Sequence, residues 1–72
     1  MKEELVEVGG LVVDKQRGGR FKIRVDKTEH IVEGQISGRM RRNRIRVLIG
    51  DQVDVEMSPY DLTKGRITFR HK

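Results

Sequence analysis

Residues 37–47 read Ser-Gly-Arg-Met-Arg-Arg-Asn-Arg-Ile-Arg-Val, and this stretch decides which small β fold the chain can adopt. Ser37 is a good helix N-cap, because its hydroxyl can accept from a backbone N–H of the first turn. Asn43 is a C-terminal stop. Between them there is room for about a turn and a half of helix at ~3.6 residues per turn. Met40 is the one apolar side chain in that turn. It is expected to point at a core and leave the arginines in solvent. The same stretch holds Arg39, Arg41, Arg42, Arg44 and Arg46, with no acidic residue among them. The planar guanidinium matches phosphate oxygens and stacks on bases. A solvated face without a partner is the bland alternative, and a short basic run is a weak signal alone.

Downstream, Ile45, Val47 and Ile49 continue in period two, and Gly50-Asp51 makes a turn. Val53, Val55 and Met57 alternate with Asp54 and Glu56, which predicts a half-buried strand. Ser58-Pro59 ends it, since proline cannot donate to a ladder. Tyr60 to Gly65 is read as a loop, with Gly65 in a left-handed turn. Arg66 to Arg70 is read as the last strand, with Ile67 and Phe69 inward and Arg66, Thr68 and Arg70 outward.

Upstream, Ile31 to Ile36 is a strand with Val32, Gly34 and Ile36 on one side. Asp26 to Glu29 is a turn. Phe21, Ile23 and Val25 alternate with Lys22, Arg24 and Asp26 in the clearest strand of the chain. Lys15 to Arg20, KQRGGR, is a turn in which Gly18-Gly19 can supply the positive φ of a tight hairpin. Leu5 to Val13 carries apolar residues at 6, 8, 11 and 13. The alternation slips at Gly9-Gly10, which is read as a bulge or sharp bend. The count is five short strands with a helix between the third and fourth. Five strands in so short a chain must close to cover their edges. An all-β, five-stranded OB-fold Greek-key barrel is the economical solution. An SH3-like barrel is the alternative, but it lacks a helix at this place.

Seventy-two residues suffice for one domain, 1–72, with a small core. There is no cysteine, hence no disulfide or thiolate metal site. No apolar run approaches the ~18 residues that span a bilayer. The start, MKEELVEV, lacks the apolar region of a signal peptide. A soluble intracellular protein without a membrane partner is expected. Charge is lopsided. Residues 1–36 hold 7 Lys/Arg against 7 Asp/Glu, and residues 37–72 hold 9 against 4, so the second half carries the whole net +5. Such a balance is an electrostatic footprint for a polyanion, nucleic acid first.

Catalytic chemistry is missing from the sequence. There is no GxSxG motif or phosphate-binding loop, and the two histidines, His30 and His71, stand apart. No enzyme, metal or cofactor is expected. Binding chemistry is better supplied. Lys64, Arg66 and Arg70 are expected to join residues 39–46 in one continuous basic surface, with Arg66 and Arg70 on one face of their strand. Phe21 and Phe69 are read as core. Tyr60 either stacks on a base or caps the barrel. Single-strand binders of the OB type rely on exposed aromatics. Their scarcity here points to a folded RNA read through phosphates, shape and arginine stacking.

Three segments, SGRMRRN at 37–43, IRVLIGDQV at 45–53 and SPYDLTKGRITFR at 58–70, together resemble bacterial or organellar translation initiation factor 1. The resemblance extends more loosely over 5–36. It implies a five-stranded OB barrel and a non-catalytic, monomeric factor. It implies binding at the A site of the small ribosomal subunit, against RNA of the decoding region and a neighbouring ribosomal protein. Such a factor blocks premature tRNA entry and supports the two other initiation factors, in a bacterial cytoplasm or an organelle. The resemblance places Arg39, Arg41, Arg42 and Arg46 in the family's basic surface. Lys64, Arg66 and Arg70 match its C-terminal basic block, and Tyr60 and Asp61 its PYD motif. Three features depart from the pattern. Arg44 replaces an aromatic residue or histidine. KQRGGR replaces a leucine-proline-asparagine turn, adding Arg17 and Arg20 as loop contacts. The 26–30 turn is one residue longer. A cold-shock-type RNA chaperone and a protein-interaction module are the competing readings.

Overall fold

In the computed structural model, which describes residues 4–71, the alternating segments become five strands and one helix. They are β1 (Val6–Gln16), β2 (Arg20–Val25), β3 (Ile31–Ile36), α1 (Gly38–Arg42), β4 (Gln52–Ser58) and β5 (Asp61–His71). Met1 to Glu3, part of the segment read as leaderless, lies outside the described residues. The strands close into a barrel in the order β1-β2-β3-β5-β4, with only β3 and β5 parallel. This is the expected OB barrel, and closure removes every strand edge. The core is built from the period-two apolar positions: Phe21 and Ile23 of β2, Val32 of β3, Val53, Val55 and Met57 of β4, and Ile67 of β5. Met40 of α1 joins them at 1% exposure, as its place in the helix predicted.

Two strands depart from the sequence reading, and both through a bulge. In β1 the period of two runs unbroken through Gly9-Gly10, so Val8, Gly10 and Val12 face inward. Val6 and Val13 are exposed, and Leu11 is half-buried. The irregularity lies at Val13 instead, between the pairs Val12–Ile23 and Asp14–Lys22. Gly10 is not a bend but a close approach: a Cβ there would overlap Ile23 Cγ2 and lie 2.9 Å from the Arg24 carbonyl oxygen.

β5 begins at Asp61, not Arg66, so 61–65 is strand and not loop. Gly65 has no left-handed φ. It sits where a Cβ would meet Val55 Cγ1 at 2.5 Å. Further on, Val55 pairs with Ile67 but Asp54 with Phe69, which leaves Thr68 as an extra residue. A one-residue slip moves every later side chain to the other face. Phe69, expected in the core, is therefore 55% exposed, with its ring edge-on to His71 at 4.9 Å. Ile49 also stays outside, since strand pairing resumes only at Gln52.

Ile23 fills the room left by two glycines. Gly10 faces its Cγ2, and a Cβ on Gly34 would lie 2.5 Å from its Cδ1. Gly34→Ala is expected to cost about 1–3 kcal/mol by overpacking. Ile23→Val removes that Cδ1, so the double variant should lose less stability than the two singles added together. Urea denaturation of all three variants measures the compensation, and strict additivity would rule out the shared contact.

Candidate nucleic-acid interface

The basic stretch is shaped by its backbone. The Ser37 hydroxyl accepts from the Met40 N–H at 3.3 Å, which caps α1. The Asn43 N–H reaches the Arg39 carbonyl at 3.0 Å, and the Arg44 N–H reaches that of Arg41 at 3.2 Å. Arg44 then takes a left-handed φ of 55°. Such a conformation costs a non-glycine residue roughly 1–2 kcal/mol. It ends the helix and turns the chain so that the Ile45 N–H bonds the Met40 carbonyl at 3.0 Å. Met40 and Val47 are buried and Ile45 is half-buried, while Arg39, Arg41, Arg42, Arg44 and Arg46 are all exposed. None of the five side chains has a hydrogen bond or ion pair with another described residue. Arginine forks in solvent, without internal carboxylate partners, are ready for an external anion.

The arginines of this stretch divide between two grooves. Arg41, Arg44 and Arg46 line a groove of about 390 Å³ whose floor is Phe21, Ile36, Ile45 and Val47. Lys15 and Gly19 of the opposite hairpin complete its rim. No acidic side chain lines it. Arg39 and Arg42 belong to a second groove with Arg66, where Glu7, Asp54 and Glu56 also stand. The helix thus parts a purely basic groove from one of mixed charge. Sequence reasoning misses Lys15, because its local sequence gives no sign that β1 turns it to this face.

The C-terminal basic residues have separate placements. Arg66 is ion-paired with Glu56 at 3.1 Å. Arg70 does not share its face, because the Thr68 bulge intervenes: Arg66 lies opposite Glu56 and Arg70 opposite Val53. The Arg70 guanidinium donates to the Arg46 carbonyl oxygen at 2.6 Å and lies 4.0 Å from the Asp51 carboxylate. That carboxylate accepts from the Leu48 N–H at 2.8 Å. Arg70 and Asp51 together pin the segment that carries Arg46. Lys64 borders a small hollow with Glu33 and Gln35. Tyr60 is 88% exposed in the β4–β5 turn, so it does not cap the barrel. The adjacent Asp61 carboxyl is held below its usual range, chiefly by hydrogen bonds from the Thr63 side chain and N–H. Arg17 is exposed in the hairpin turn, beside Gly18 and Gly19 with φ of 77° and 74°. Arg20 is tied to Glu33 at 3.2 Å.

These contacts give Arg70 a testable role. Arg70→Ala is expected to weaken polyanion binding several-fold while leaving its salt slope unchanged, because the guanidinium holds a carbonyl and not a phosphate. A slope lower by about 0.7–0.9, the value of one contact, would instead make Arg70 a phosphate ligand.

Among the described residues, no group of three or more potential ligand side chains could hold a metal. No helix there is long and apolar enough to cross a membrane. The model of the family described as translation initiation factor 1A / IF-1 matches residues 1–72. The chain belongs to that family. A translation initiation factor IF-1 of Solibacter usitatus (strain Ellin6076) is 55% identical over 71 residues, covering 99% of this chain and 97% of the relative. One of Rhodospirillum rubrum is 52% identical over 71 residues, covering 99% of this chain and 74% of the relative. The solution structure of the translation initiation factor IF-1 from the Wolbachia endosymbiont strain TRS of Brugia malayi superposes with a TM-score of 0.79. It is 44% identical, and the match covers 94% of this chain and 79% of that one. YjeQ from Thermotoga maritima, at 18% identity and TM-score 0.76, shares the fold over 93% of this chain and 23% of its own. Membership of the IF-1 family makes the chain a translation initiation factor and not an enzyme.

Proposed function

We propose that this factor binds the small ribosomal subunit at the A site, against RNA of the decoding region and a neighbouring ribosomal protein. There it blocks premature tRNA entry and supports the two other initiation factors. The observation that carries the RNA reading is the set of five exposed arginines, 39, 41, 42, 44 and 46, with no partner among the described residues. Arg41, Arg44 and Arg46 supply phosphate contacts over an apolar floor, and Arg39 and Arg42 extend them along the other side of α1. Arg17, Tyr60 and Lys64 are exposed and stand as outlying contacts. Arg20, Arg66 and Arg70 are engaged within the chain and act there by supporting the surface. The protein acts as a single domain and a monomer.

Cosedimentation with purified small subunits across a salt series tests this. With ~5 phosphates neutralised, log affinity should fall with log salt at a slope near −4, from roughly 0.7–0.9 per contact. An A-site ligand should displace the factor. No binding in moderate salt would overturn the proposal.

The exposed ring of Phe69 favours a second reading, a general single-strand binder of cold-shock type. Phe69 is a lone exposed ring in its groove, beside Glu7, Asp54 and Glu56, whereas a sequence-tolerant strand track stacks successive bases on several aromatics. Equal affinity for arbitrary unstructured RNA would favour this second reading. Binding to an acidic protein that survives nuclease treatment would favour an interaction module.

A further inference from the structure

The β1 bulge does more than bend a strand. From Val12, which faces the core, an unbroken period of two would send Lys15 to the outer surface. The extra residue at Val13 reverses this. Asp14 pairs with Lys22, and Lys15 pairs with Phe21. Phe21 is 2% exposed, so Lys15 lies on the core-facing side of β1, at the open end of the barrel. There it meets the groove lined by Arg41, Arg44 and Arg46. Its side chain is exposed and has no hydrogen bond or ion pair with any described residue. A cation aimed across a groove at three others gains nothing from its neighbours, since like charges raise each other's energy. Bulges recur where a strand must re-aim a side chain beside a functional site.

We infer that Lys15 is a further phosphate-contacting residue, and that the β1–β2 hairpin forms the second wall of the RNA groove, facing residues 41–46. The inference rests on the small-subunit RNA reading above. The ligand is a ribose-phosphate strand passing between hairpin and helix. Cations on two walls match a line of phosphates better than one compact anion. Lys15 acts as a point charge, whereas the arginines opposite it offer planar forks. Arg17 and Arg20, the basic residues of the same turn that the sequence favoured, do not line this groove, and Arg20 is bound to Glu33.

The test uses the full chain and purified small subunits, with binding measured over a salt series. The variants are Lys15→Ala, Lys15→Gln, Lys15→Arg and, as reference, Arg41→Ala. Lys15→Ala and Lys15→Gln should each reduce the magnitude of the log–log slope by about 0.7–0.9. Their affinity loss should be several-fold at low salt and close as salt rises. Lys15→Arg should restore the wild-type slope, because it restores the charge. Melting temperatures should stay at the wild-type value, since the side chain is exposed. If Lys15→Ala and Lys15→Gln keep the wild-type slope while Arg41→Ala lowers it, the second wall is wrong and the small-subunit reading stands. If no variant changes the slope, phosphates are not the ligand, and both proposals fall.

Discussion

Arg41→Ala/Arg46→Ala is expected to weaken small-subunit binding by about 2 kcal/mol, roughly thirtyfold, while leaving stability unchanged. Both side chains are exposed and make no hydrogen bond or ion pair with a described residue. Surface changes of this kind shift stability by less than about 0.5 kcal/mol. The effect belongs to the bound state, where each guanidinium replaces counterions on a phosphate. The salt slope should therefore shrink by about 1.4–1.8 for two lost contacts. Cosedimentation over a salt series reads affinity and slope together, and thermal melting reads the fold. A variant that melts early would mean these arginines hold the barrel instead of facing a partner. Arg46 has one structural tie, but it runs through its carbonyl to Arg70 and survives truncation of the side chain.

Ile23→Ala is expected to have the largest effect on stability, about 2–5 kcal/mol. A protein of 72 residues has only about 4–11 kcal/mol in total, at 0.05–0.15 kcal/mol per residue. The upper part of the range applies because the side chain is fully buried, at 0% exposure. Two of its diagonal neighbours on the flanking strands, Gly10 and Gly34, have no side chains to move into the gap, and the directly paired Val12 and Val32 are short. The cavity collapses only in part, and the lining that stays open loses its dispersion contacts. Urea denaturation should show a lower midpoint with an unchanged m-value. A loss below about 1 kcal/mol would mean that β1, β2 and β3 do not pack around this residue as described.

The variants separate two layers of one small molecule. The glycine-flanked isoleucine sets whether the barrel closes. The five arginines sit on that barrel without internal partners, and the groove that Arg41, Arg44 and Arg46 line has no carboxylate on its rim. A surface so one-sided in charge is suited to an anionic partner. No acidic residue stands among Arg41, Arg44 and Arg46 on this groove. Glu7, Asp54 and Glu56 lie in the other groove, and Glu33 is bound to Arg20.

Much of this was legible from residue order. Phe21, Ile23, Val32, Val53, Val55 and Met57 alternate with polar residues, and a strand must place such a pattern with one face buried. Ser37, Met40 and Asn43 specify a capped turn of helix with one core residue, because capping is local chemistry between residues three or four apart. Gly18-Gly19 marks its hairpin, since positive φ is unstrained only for glycine. The run of arginines announces a polyanion through composition alone. None of these needs knowledge of what lies across the sheet.

The faces of Lys15, Phe69 and Arg70 did need it. Each follows a bulge, at Val13 or Thr68, and a single extra residue inverts everything beyond it. Neither bulge has a local signature. The glycine pair that reads as one, Gly9-Gly10, instead lets β1 pass close to β2. Where a long strand gains a residue depends on keeping register with two neighbours while the barrel closes. That energy arises between strands remote in sequence, so it is absent from any window of the chain. Strand identity, helix cap and net charge are local quantities and could be read directly. Which cation reaches the groove, and which clamps Arg46 from behind, is a property of the closed barrel.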